Sequence, residues 1–138
     1  MLQLVAYWQV FIEELARYGF RQIEASGSGG HFQNIARARL DESLRKFNTP
    51  NKSNIDKLFK EALGVSGISQ SWTSASITQK MAASTLEKLL EARHQIAHTG
   101  QTSASLDYAT NFEKMSILME MAELTENALC RQLTPHSD

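Results

Sequence analysis

The spacing of apolar residues constrains the fold of this chain more than any other feature. They recur at steps of three and four over long stretches, and no stretch alternates convincingly with a period of two. The chain contains only two prolines, Pro50 and Pro135. Because a period near 3.6 gathers apolar side chains on one side of a helix, the sequence predicts an all-α protein.

Turn residues divide the chain into five predicted helices, at about residues 2–24, 32–47, 55–63, 76–98 and 105–133. Ser53 or Asn54 is expected to cap the third helix, and Gly64 and Gly100 are expected to end the third and fourth. Long helices with short connections pack antiparallel. We therefore expect an up-and-down antiparallel bundle of four to five helices.

Residues 1–138 are expected to form one domain, since the length fits a single core. The first helix begins without a visible cap, which fits a module of a longer protein. Within the last helix, the spacing predicts that a row of residues faces the core: Phe112, Met115, Leu118 or Met119, Ala122 and Leu129. We interpret the methionines of this row as core residues rather than as a cofactor site.

Cysteine content and hydropathy favour a cytoplasmic protein. Cys130 is the only cysteine, so no internal disulfide can form. The N-terminus has no basic leader, and no run of about 18 apolar residues predicts a membrane span. The net charge is −1, although residues 1–60 hold nine basic against six acidic side chains. That half forms either a basic surface or ordinary solvated helix faces.

The segment Glu91–Gly100, EARHQIAHTG, places an arginine and two histidines at the end of the fourth helix. One interpretation is a metal site, because His94 and His98 are four residues apart and share a helix face. In zinc proteases of the His-Glu-x-x-His type a glutamate follows the first histidine, and here it is Gln95. No third ligand has a supporting spacing, so we predict no metal cofactor.

A second interpretation is a solvated helix terminus. Cationic side chains in the last turn interact favourably with the negative end of the helix dipole. This does not explain Arg93, which follows Leu86 and Leu89 or Leu90 at the same helical step. A guanidinium in an apolar row is unfavourable unless it is paired or lies at an interface.

A third interpretation is phosphodiester chemistry. Histidine suits proton transfer near neutral pH, and the forked donors of arginine match phosphate oxygens. On an ideal helix Arg93 and His98 are separated by about 140° of rotation and about 7.5 Å of rise. They could converge if the helix ended near Ala97, or if a symmetric partner brought two such pairs together.

Arg93-His-Gln-Ile-Ala-His98 resembles the Arg-x4–6-His signature of the HEPN superfamily of all-helical ribonucleases and nucleotide-binding modules. The aromatic-rich first helix with Glu13, the segment 54–64 before the motif helix and the long helix after it are similar to the RiboL-PSP or MAE-type branch. The resemblance covers most of the chain.

This resemblance implies a homodimer in which two motifs face each other across a cleft. It also implies a metal-independent endoribonuclease that leaves a 2′,3′-cyclic phosphate and a 5′-hydroxyl and that acts as a toxin or phage-defence effector. Arg93 would hold the scissile phosphate, His98 would act on the 2′-hydroxyl, and His94 would assist. Glu13 would pair with Arg93, or else is a plain surface glutamate.

The expected partner is RNA, such as a tRNA loop, together with a second copy of the chain and an antitoxin or a larger host protein. Bases extruded from a loop could stack on Tyr7, Trp8, Trp72 or Tyr108, although burial is expected for Trp8. Two alternatives stay open: a catalytically inactive HEPN-like module for dimerisation, nucleotide binding or partner binding, and a purely structural bundle.

Overall fold

The computed structural model of the protein describes residues 2–27, 30–99 and 108–134. This part of the chain forms an all-α bundle and contains no β-strand. Its five α-helices are joined by one short 3-10 turn, Ile68–Ser71. The helices are α1 (Leu2–Ser26), α2 (His31–Arg45), α3 (Lys52–Leu63), α4 (Gln79–Thr99) and α5 (Tyr108–Leu133). The predicted fold class and the order of the helices are confirmed.

Helix α1 lies at the centre of the bundle and contacts each of the other four helices. It can do so because buried residues occur along its whole length, from Val5 to Phe20. Helices α3 and α5 pack on it most closely, and α4 packs mainly on α5. This arrangement fixes the end of α4, which carries the histidines, relative to the core.

The ends of α3 are set by its capping residues. The Asn51 side chain accepts a hydrogen bond from the Asn54 backbone N–H at 2.8 Å, so α3 begins at Lys52. The expected cap at Ser53 or Asn54 is therefore wrong by two or three residues. Gly64 ends the helix with φ of 71°, a left-handed conformation that favours glycine.

Helix α2 covers the edge of the bundle and contributes only Leu40 to the fully buried core. Arg37 of α2 forms a salt bridge with Glu24 near the end of α1. Hydrogen bonds from Gln33 and Arg37 hold the pKa of Glu24 below its usual value. Because Arg37 is exposed and Glu24 is only half-buried, this surface pair is expected to contribute little to stability.

Two tryptophans form the contact between α1 and the segment before α4. Trp72 is fully buried and meets Trp8 edge to face, with ring centres 6.1 Å apart. Both indole N–H groups have acceptors: Trp8 donates to the Pro50 carbonyl at 3.1 Å, and Trp72 donates to Thr125 Oγ1 at 2.9 Å. The buried rings therefore join α1, α5 and the loop before α3 without leaving an unpaired donor.

The predicted inward row of α5 is confirmed only in part. Leu118 and Leu129 are buried, whereas the Phe112 side chain is 56% exposed. The prediction for Phe112 is wrong because the buried residues Leu118, Met121 and Leu129 lie on the other side of α5 from Phe112. The predicted helix start at Ser105 and the stop at Gly100 lie outside the described residues. None of the helices in the described part of the chain is long and apolar enough to cross a membrane.

We predict that Thr125→Val lowers the free energy of unfolding by about 1–3 kcal/mol, because it removes the acceptor of a buried indole N–H without changing the side-chain volume. Urea denaturation followed by circular dichroism measures this loss. In a Trp72→Phe background the same substitution should have a smaller effect, since no indole N–H remains to be satisfied. Equal losses in the two backgrounds would contradict the assignment.

Candidate ribonuclease site at the end of helix α4

The sequence-predicted site residues lie on the last turns of α4. This helix forms because Leu86 and Leu89, both buried, and Ala92 give it an apolar side towards the core. His94 and His98 lie on the opposite side and are exposed, whereas Arg93 is half-buried on the side of Leu86 and Leu89, one turn beyond Leu89. The two histidines therefore lie at the surface, and the apolar side of the same helix packs against the core and fixes their position.

The two histidines form a close pair. Their ring centres are 4.3 Å apart and the ring planes are inclined by 58°. This contact follows from the four-residue spacing, which places both side chains on one helix face. Both rings are open to solvent, and an imidazole nitrogen can donate or accept a hydrogen bond.

Arg93 contacts the loop between α2 and α3. Its Nη2 donates to the Asn48 carbonyl at 3.5 Å, a long hydrogen bond. This is its one polar contact among the described residues, and the salt bridges of that part of the chain do not include one to Glu13. The expected pairing of Glu13 with Arg93 is not formed. Among the described residues this contact engages one of the five N–H donors that an arginine carries.

Arg93 and His98 do not converge within one chain. Helix α4 continues to Thr99, so the expected early end near Ala97, which would let His98 turn back, does not occur. The structure instead brings His98 beside His94 and holds Arg93 towards Asn48. The structure therefore removes one of the two routes to convergence that the spacing left open, an early end of the helix.

A groove of about 580 Å³ runs between α4 and the start of α3. Its α4 wall includes Leu86, Leu90, Glu87 and Glu91. Glu87, Glu91, His94 and His98 follow one another at steps of four, three and four residues, so they form one row along the helix. The groove therefore leads along α4 towards the histidine pair, and its volume is within the usual range of ligand sites.

Two predicted stacking platforms are excluded by burial, because Trp8 and Trp72 are both in the core. Tyr7 is 70% exposed on α1, and the Tyr108 side chain lies outside the described residues. No group of three or more His, Cys, Asp or Glu side chains in the described part of the chain could hold a metal ion.

Sequence reasoning missed two polar groups near this end of the bundle. The Asn48 carbonyl contacts Arg93 across 45 positions of sequence, which no local pattern could indicate. Asn111 lies in the first turns of α5, the helix that returns from the end of α4, and its buried Oδ1 has no hydrogen-bond partner in the structure as described. An unsatisfied buried acceptor is uncommon in native proteins.

The structure places an Arg-x4-His motif at the end of a helix of an all-α bundle, and the comparison with protein families agrees with this arrangement. The model of the RiboL-PSP-HEPN family matches residues 1–131. The chain belongs to the RiboL-PSP-HEPN family. No curated protein matches the chain, and no solved structure does. Membership of this family, within the HEPN superfamily, confirms the resemblance found in the sequence.

We predict that Arg93→Ala and His98→Ala each change the free energy of unfolding of this RiboL-PSP-HEPN domain by no more than about 0.5 kcal/mol. Neither side chain is buried, and neither forms an ion pair in the described structure. Thermal denaturation by differential scanning calorimetry provides the measurement. A loss of several kcal/mol would identify the residue as a structural one.

Proposed function

We propose that this protein is a metal-independent endoribonuclease that acts on RNA through Arg93, His98 and His94. The observation that supports this most directly is the state of the motif: two exposed histidines lie side by side, and the adjacent arginine forms no ion pair with another described residue. An arginine enclosed in an intramolecular salt bridge would have favoured the catalytically inactive module. Family membership supports the same class of activity.

In the proposed reaction, His98 accepts the proton of a ribose 2′-hydroxyl, and the oxygen attacks the adjacent phosphorus. The bond between phosphorus and the 5′-oxygen breaks, and His94 donates a proton to the departing oxygen. The products are a 2′,3′-cyclic phosphate and a 5′-hydroxyl end. Proton transfer by a positioned histidine commonly contributes about 10²–10⁴-fold to a rate.

Arg93 is proposed to bind the non-bridging phosphate oxygens, where negative charge increases in the transition state. The long hydrogen bond from Nη2 to the Asn48 carbonyl orients the guanidinium. Removal of one such donor group from an active site commonly lowers the rate by about 10²–10³-fold. Glu13 is half-buried on α1 and does not contact Arg93 in the described structure, so it is left without a direct role.

We propose that the active form is a homodimer. About 140° of helix rotation separates Arg93 from His98, and α4 does not bend back at its end. A second chain that presents its own α4 in the opposite direction would bring an arginine from one copy towards a histidine of the other. The exposed face that carries His94 and His98 leaves room for this approach.

The biological role that fits this activity is that of a toxin or phage-defence effector restrained by an antitoxin or by a larger host protein. The net charge of −1 gives little general attraction to nucleic acid. Recognition of one structured RNA, such as a tRNA loop, therefore fits better than degradation of bulk RNA. The groove beside α4, which reaches Glu91 in the turn before His94, offers space for a nucleotide.

We predict that the wild-type protein cleaves RNA in excess EDTA and that His98→Ala and Arg93→Ala lower the rate by at least about 100-fold. Total tRNA and a mixed-sequence RNA serve as substrates, and the cleaved ends are analysed for cyclic phosphate. His31→Ala, which removes an exposed histidine outside the motif, is the matched control. Folded, dimeric protein that cleaves neither RNA would favour the inactive binding module instead.

Dimerisation leads to a separate prediction about concentration. If each site needs two chains, activity per chain should fall on dilution through the dissociation constant of the dimer. Sedimentation velocity determines that constant independently of the RNA assay. Activity per chain that stays constant while the protein dissociates into monomers would place the complete site within one chain.

A further inference from the structure

The histidine pair at the end of α4 has a geometry that suits binding of a metal ion as well as proton transfer. His94 and His98 are both exposed, and their ring centres are 4.3 Å apart. A zinc ion lies about 2.0–2.1 Å from each imidazole nitrogen, which places two ring centres on one tetrahedral ion about 5 Å apart. Small side-chain rotations would therefore be enough for both rings to bind the same ion.

The charges around the pair also favour a cation. Glu87 and Glu91 lie in the same row of α4 as the two histidines, and both line the neighbouring groove. Carboxylates on one face attract positive ions to it. Arg93, the nearest basic residue in the sequence, is held towards the Asn48 carbonyl rather than towards this row.

We propose that His94 and His98 form a two-ligand site for a divalent transition-metal ion such as Zn²⁺, and that the bound ion stops the ribonuclease reaction. The ion at this site would not be a permanently bound cofactor, because the described residues include no third protein ligand. Water molecules from the open side would complete the coordination, so the ion would exchange readily. Mg²⁺ prefers oxygen ligands and should not bind there.

The inhibitory effect rests on the proposed function. It follows because a metal ion and a proton bind to the same lone pair of an imidazole nitrogen. A nitrogen that coordinates a metal ion can no longer accept the proton of a 2′-hydroxyl. One ion that binds both rings would therefore remove the proposed base and the proposed acid together. Because metal ions and protons compete for the same nitrogen, binding should weaken as the pH is lowered.

The first test measures the site without RNA, so that it does not depend on catalysis. Metal-free protein is titrated with Zn²⁺ by calorimetry, and with Mg²⁺ as the comparison ion. We expect saturable Zn²⁺ binding and no Mg²⁺ binding. We expect His94→Ala and His98→Ala each to weaken Zn²⁺ binding by at least about tenfold. His31→Ala should bind as tightly as the wild type.

Circular dichroism of each variant establishes that it is folded before the titration is interpreted. The proposed site would be overturned if the wild type showed no saturable Zn²⁺ binding. It would also be overturned if the His94→Ala and His98→Ala variants bound Zn²⁺ as tightly as the wild type. Neither result depends on whether the protein cleaves RNA, so failure of the site and failure of the ribonuclease are distinguished.

The second test addresses inhibition. Zn²⁺ added to wild-type protein should stop RNA cleavage over the same concentration range in which it binds, and EDTA should restore the activity. Cleavage that continues when the site is saturated with Zn²⁺ would overturn the inhibitory role while leaving the metal site intact.

Discussion

The burial of Trp72 against Trp8 is the interaction on which the rest of the structure depends. Two large rings at the centre of a 138-residue chain contribute much of the apolar surface of its core. They can be buried only because Thr125 and the Pro50 carbonyl accept their indole N–H groups. These two acceptors come from α5 and from the loop before α3. One contact therefore fixes the position of three separate parts of the chain around α1.

That core explains why the site can be exposed and still well placed. Helix α4 is attached to the bundle through Leu86, Leu89 and Ala92, so its outer side is free to carry groups that the fold does not use. His94 and His98 lie on this outer side and are expected to contribute little to the free energy of unfolding. Arg93 is oriented by a contact with the loop between α2 and α3. The separation of a rigid inner side from a reactive outer side is common at functional sites. It also allows site residues to be replaced without loss of the fold.

The same outer side gives the proposed ribonuclease and the proposed metal site a common physical origin. Two imidazole rings in contact provide two nitrogen lone pairs at adjacent positions on a helix. Such a pair can accept and donate protons, and it can equally bind a transition-metal ion. The two uses exclude each other because they need the same nitrogens. A site of this kind is therefore expected to respond to metal ions even though the proposed ribonuclease reaction needs none.

The sequence by itself determined the helical class, the order of the helices and the motif, because these depend on local spacing. A 3.6-residue period, glycine stops and the Arg-x4-His pattern are all visible within a few turns. The exact cap at Asn51, the exposure of Phe112 and the contact of Arg93 with Asn48 were decided by tertiary structure. Each of these depends on which distant segment lies opposite a residue. Local periodicity identifies the side of a helix that is apolar, but only the packed structure determines how far a neighbouring element covers it.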